Sequence, residues 1–114
     1  MTSESYHEPH DELSSEARDR HRAIVSLMEE LEAVDWYEQR IETTTDDDLK
    51  AILRHNSDEE KEHAAMVLEW LRRRDPVLDR QLREYLFTDG PVTEHEGPSD
   101  APGDLGVRKL GGQE

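Results

Sequence analysis

Hydrophobic residues recur at helical spacing through most of the chain up to residue 90. Ser14 and Ser15, followed by Glu16, supply a helix cap, and Ala23, Leu27, Leu31, Val34 and Ile41 form the apolar stripe of a helix predicted to run to about Glu42. Thr45, then Asp46, Asp47 and Asp48, place a cap and three carboxylates at the positive end of a second helix. That helix reaches about Arg74, and Arg72, Arg73 and Arg74 match its negative end. Asp75-Pro76 restarts the chain with a cap and a proline at the first helical position. Val77, Leu78, Leu82, Tyr85 and Leu86 give a third, shorter helix one apolar face. The pattern predicts an all-α fold, an antiparallel two-helix hairpin with a short third helix.

A hairpin buries too little surface by itself, and four-helix bundles are the usual remedy, so two copies are expected to complete one bundle. Trp36 falls roughly opposite Leu27 and Val34, on the face shared by Glu29 and Glu32, where a tryptophan suggests a further subunit contact.

Composition divides the 114 residues into three segments. Residues 1–13 are polar, carry His7, Pro9 and His10, and show no periodicity, which predicts a loose, disordered arm. The helical domain is expected over 14–90. All six glycines lie at Gly90 or beyond, marking 91–114 as a flexible tail. The net charge is -15, from 29 acidic and 14 basic side chains, with the basic ones interleaved among carboxylates; a nucleic-acid surface is excluded. The longest apolar run, Ala64 to Leu68, is far short of a membrane span, and the N-terminus lacks the basic start and apolar stretch of a secretory signal. No membrane partner and a cytoplasmic location are expected. Without cysteine, any metal must be held by His, Asp and Glu.

Polar residues interrupt the apolar register of the helices. On the second helix the inward positions are expected to be Leu49, Leu53, Asn56, Glu60, His63, Val67 and Leu71, so Glu60 and His63 stand where core residues belong. Glu30 lies on the edge of the first helix's stripe. A bare Glu-x-x-His carries little weight, since Glu4-Ser5-Tyr6-His7 is another. The placement of one such pair and a separate Glu on the inward faces of adjacent helices carries more. Ionised carboxylates buried alone are costly, so they must meet cations, protons or water. A wet interface with Glu60 protonated or paired to His63 is one reading. The other is half of a di-metal carboxylate site, which uses one Glu from each of two helices and a Glu-x-x-His from each of two others. A two-fold axis doubles the set, and hard oxygen donors with one nitrogen per metal favour iron or manganese over zinc, with redox chemistry favouring iron. Tyr37, one helical face from Glu30, fits either a hydrogen bond near the metals or core packing. Glu29 and Glu32 read as solvated charge or cation guidance. His55 is expected to face solvent.

Ile24 to Tyr37 and Asp58 to Met66 closely resemble the encapsulated ferritins, and the resemblance continues through Leu68 to Arg73 and Tyr85 to Pro91. It implies a half-ferritin that completes a ferritin-like bundle by dimerisation and oxidises iron inside an encapsulin nanocompartment. Glu30, Glu60 and His63 are then the implied iron ligands, two irons per dimer with both protomers contributing. Tyr37 is implied beside the site, Glu29 and Glu32 at an entrance site, and Trp36 near the entrance path. A homodimer assembling into an open ring of ten subunits is also implied. Leu105-Gly106-Val107-Arg108-Lys109-Leu110, inside a stretch of about 104–112, is similar to the peptides that load cargo onto an encapsulin shell, although Arg108-Lys109 departs from the small residues expected at their centre. The expected function is a ferroxidase feeding iron mineralisation and storage in that shell. The alternative is a non-catalytic acidic helical adaptor or cargo protein docking through its tail.

Overall fold

The computed structural model describes residues 5–94; the proposed docking motif at 104–112 lies outside them. Three helices carry the fold, α1 (Ser15–Thr43), α2 (Asp47–Arg74) and α3 (Pro76–Tyr85), with single 3-10 turns at His10–Glu12 and Val92–Glu94 and no strand among the described residues. The chain divides after Leu71 into two compact units.

Local chemistry sets each helix boundary. Ser14 accepts at Oγ from the Ala17 amide at 3.0 Å, satisfying one of the orphan donors at the start of α1. The start of α2 differs from the expected cap: Asp46, not Thr45, accepts from the Leu49 amide at 2.8 Å, while Thr44 Oγ1 receives the Asp46 amide. Thr44, Thr45 and Asp46 are all good cap residues, and the charged carboxylate takes the position because it also meets the helix dipole. Asp75 caps α3 through the Val77 and Leu78 amides, with Pro76 in the first turn as expected. Within the second unit, Asp79 ties Arg72 to Arg83.

The stretch read as a loose arm makes specific contacts from Tyr6 onward. Tyr6 stacks on His21 of α1 with ring centroids 4.1 Å apart, meets His10 edge-on, and Arg18 donates to the His10 carbonyl at 2.6 Å.

The seam between α1 and α2 is narrow. Ile41 of α1 and Leu53, Ser57, Ala64 and Leu71 of α2 are buried, and Ser57 alone is wholly enclosed. Leu31 and Leu49, expected inside, are 55% and 45% exposed, as are Ile24, Ile52 and Met66 to similar degrees. One partner helix covers only part of a wide apolar face, and the small side chains of Ser57 and Ala64 bring the helices together where larger ones would hold them apart.

Candidate metal centre

Glu30 reaches the seam from the middle of α1, and Glu60 and His63 reach it from successive turns of α2. The i, i+3 spacing puts Glu60 and His63 on neighbouring positions of one helix face. Among the described residues these three form a group whose ligand atoms all lie within 4.8 Å of one another. His63 Nδ1 stands 3.5 Å from Glu60 Oε1 and 3.7 Å from Glu30 Oε1. Both distances exceed hydrogen-bond length and fall within the ~4 Å that two donors bonded to one ion at ~2.1 Å span. Each carboxylate side chain is three-quarters covered, and the imidazole is somewhat more open.

The electrostatics fit a cation site. Glu30 is held above the ordinary carboxylate range, first by the hydrogen bond it shares with Glu60, then by burial and by the negative charge of Glu60, with His63 pulling the other way. Two carboxylates at this separation do not both ionise freely without a cation between them. The donor set of two carboxylates and one imidazole suits a hard or borderline divalent ion.

The remaining candidates also stand on α1 and α2. Tyr37 is half-buried, and its ring lies under the Arg40 guanidinium, 5.5 Å from carbon to centroid. Glu29, Glu32 and Trp36 are exposed, and Trp36 lines a shallow hollow with Gln39 and Arg40. His55 faces solvent, 3.2 Å from Glu59.

Sequence reasoning passed over Glu38 and Ser57. The Ser57 hydroxyl donates to Glu38 Oε2 at 2.7 Å, and Lys61 Nζ lies 3.3 Å from the same oxygen. These two contacts, Ser57 foremost, hold Glu38 below the ordinary range. The available signal was spacing alone, since Ser57 lies four residues beyond Leu53 and seven before Ala64.

The pattern of the EncFtn-like family matches residues 5–89. The chain belongs to that family. This EncFtn-like protein is 61% identical over 101 residues to an encapsulated ferritin-like protein of Rhodospirillum rubrum, covering 89% of this chain and 72% of the relative. It is 56% identical to a ferritin-like protein of Thermotoga maritima, covering 94% and 98% of the two chains. An encapsulin nanocompartment cargo protein of Myxococcus xanthus, EncC, is 34% identical over 75% of this chain and 74% of its own length. Among solved structures, a Nitrosomonas europaea protein superposes with a TM-score of 0.75 at 64% identity, covering 76% of this chain and 96% of that one. The EncFtn-like fold is thus the setting in which the trio stands.

Proposed function

We propose that the protein is a ferroxidase whose iron site is shared between two copies of the chain, with Glu30, Glu60 and His63 as the ligands from each. The observation that carries this reading is the convergence of those three side chains within 4.8 Å on adjacent helices of a ferritin-like hairpin. Fe(II) is the substrate. Two copies related by a two-fold axis supply four carboxylates and two imidazoles to two ions. Each Fe(II) gives up one electron; dioxygen accepts the pair with two protons to give hydrogen peroxide, or peroxide accepts it with two protons to give two waters. The carboxylates hold the ions close, neutralise their charge and leave room for the oxidant.

Pairing of two copies is supported by the apolar surface that one chain leaves uncovered on α1 and α2, at Ile24, Leu31, Leu49, Ile52 and Met66. A ring of such dimers, ten chains in all, belongs to the same reading. Residence in an encapsulin shell is supported by the likeness to the encapsulated Rhodospirillum protein and the Myxococcus nanocompartment cargo protein, with Leu105 to Leu110 as the docking segment. No helix among the described residues is long and apolar enough to cross a membrane.

Aerobic stopped-flow absorbance after Fe(II) addition tests the reading. The full chain is expected to oxidise iron faster than buffer, and Glu60→Ala to lose that excess. A full chain no faster than buffer would favour an acidic adaptor instead.

A further inference from the structure

The side chains that meet α1 are not the most apolar ones α2 offers. Leu53, Ser57, Glu60, Ala64, Val67 and Leu71 follow an unbroken 4-3-4-3-4 spacing and form the seam. Beside them Ile52 and Met66 stand 56% and 57% exposed. On an ideal helix of ~100° per residue, the buried positions Leu53, Ser57, Ala64 and Leu71 point about 60° away from the direction that a count of large apolar side chains selects. Turning α2 that way would carry larger apolar groups into the seam and Ser57 out of it. Hydrophobic burial is non-directional and does not by itself choose the observed rotation.

A directional contact opposes that turn. The Ser57 hydroxyl is wholly enclosed and bonds Glu38 Oε2 at 2.7 Å, and Lys61, four residues further along α2, reaches the same oxygen. Rotating Ser57 away from Glu38 leaves a desolvated donor without its acceptor and breaks a bond to a charged group, the stronger kind. Ser57 is three residues before Glu60 and six before His63, while Glu38 is eight beyond Glu30, so the bond lies within about two turns of all three. The short connection at 44–46 limits sliding of one helix along the other, but leaves the rotation of α2 about its own axis to the seam.

We infer that Ser57 and Glu38, braced by Lys61, are positioning residues: their hydrogen bond sets the rotation of α2 that holds Glu60 and His63 at the rim of the seam beside Glu30, where the opposite turn would carry His63 in beneath α1. This inference rests on the reading of those three residues as metal ligands. A single polar contact in an otherwise apolar seam fixes helix alignment in coiled coils by the same means.

Co(II) binding to the full chain, followed by visible absorption, tests it. Ser57→Ala and Glu38→Ala are expected to weaken Co(II) binding about 10- to 100-fold, the range for residues that orient ligands, and to alter the absorption bands while far-UV circular dichroism stays helical. Glu38→Gln keeps an acceptor oxygen for the Ser57 hydroxyl and should bind Co(II) close to the wild-type level. In a Glu30→Ala background, Ser57→Ala should add little further loss, because its effect runs through the meeting of Glu30 with Glu60 and His63. Wild-type affinity and bands in both alanine variants, or independent addition of the Ser57→Ala and Glu30→Ala losses, overturns the inference. Should Ser57→Ala fail to fold, the half-exposed Glu38→Ala decides the question in the same way. Glu60→Ala judges the metal reading separately: wild-type Co(II) binding there defeats that reading and this inference with it, whereas loss in Glu60→Ala with none in Ser57→Ala or Glu38→Ala defeats the positioning role alone.

Discussion

Glu30 and Glu60 face each other across the α1–α2 seam and share a hydrogen bond, which raises the proton affinity of Glu30. The consequence for the metal-free protein has a definite sign. A carboxyl whose folded pKa is raised contributes stability that is fully present below its unfolded pKa of ~4.3 and is lost as pH rises through the folded value. Above that folded value the metal-free chain therefore holds an ionised Glu30 against burial and the charge of Glu60. Glu30→Gln removes it, so the metal-free variant should melt at a higher temperature than wild type at pH 7, with the gap narrowing toward pH 4. Thermal melts in the presence of a chelator provide the measurement; an unchanged melting temperature at both pH values would contradict the shared-proton arrangement.

Iron oxidation should respond to the trio and ignore other ligand-type residues. Alanine at Glu30, Glu60 or His63 is expected to lower the initial Fe(II) oxidation rate by at least about tenfold, since loss of a residue that merely orients a metal ligand already reduces affinity by about that much. His55→Ala is the matched control, because His55 is exposed on the same helix and pairs only weakly with Glu59 across solvent. Equal losses at His55 and His63 would point to a general effect of helix surface charge.

Much of the hairpin was legible because its boundaries rest on local chemistry. Ser14 and Asp75-Pro76 cap as their types predict, and the convergence of Glu30, Glu60 and His63 follows from their positions in the helical register. The buried seam was less legible. Ser57 and Ala64 emit no hydrophobic signal, so a search for large apolar residues selects a face rotated toward Leu49 and His63. Glu38 reads as one more solvated charge in an acidic chain until the fold brings Ser57 to it. The stacking of Tyr6 on His21 joins residues on either side of a helix start, where no periodicity operates. Phe87 holds a backbone φ of 62° and stands fully exposed, a conformation that sequence assigns to glycine or asparagine.

The low proton affinity of Glu38 predicts an acid limb to the stability profile. A carboxylate with a depressed folded pKa contributes stability that is present above its unfolded pKa and lost as pH falls through the folded value. Below pH ~4.3, protonating Glu38 weakens its contacts with Ser57 and Lys61. Glu38→Gln should therefore flatten the fall in melting temperature between pH 5 and pH 3 relative to wild type. The effect is modest, since half of the Glu38 side chain faces water. A profile parallel to wild type over that interval would show that the contacts carry no net charge-dependent stability.

Assembly should depend on metal. Two copies brought together at the trio set four carboxylates around one axis, and their mutual repulsion opposes pairing until cations intervene. Divalent ions that bind only the paired state shift the equilibrium toward it by mass action. The exposed apolar side chains on α1 and α2 supply the surface to be covered, and they are present with or without metal. The chelated protein is expected to contain more monomer or dimer, and anaerobic Fe(II) to move it toward a larger assembly. Multi-angle light scattering across a range of protein concentrations gives the masses; identical distributions in both conditions would remove the metal from the assembly step.

Catalysis and delivery should separate at the end of the described chain. The trio, the seam and the N-terminal caps of all three helices lie before residue 80, and the last described contact, from the Glu94 amide to the Pro91 carbonyl, closes the turn at Val92–Glu94. Cutting after Glu94 removes none of these contacts, so helical content and Fe(II) oxidation should match the full chain. The same cut removes Leu105, Val107 and Leu110, whose apolar side chains flank Arg108 and Lys109 in the proposed docking motif. Short motifs of this kind bind weakly one at a time, and several tails on one assembly bind together far more tightly. Capture should therefore collapse when every tail is absent and fall only partly in assemblies mixed with full-length chains. Co-expression with a matching encapsulin shell, followed by shell purification, measures both cases. Truncated protein recovered inside the shell at the full-length level would show that delivery does not run through the tail.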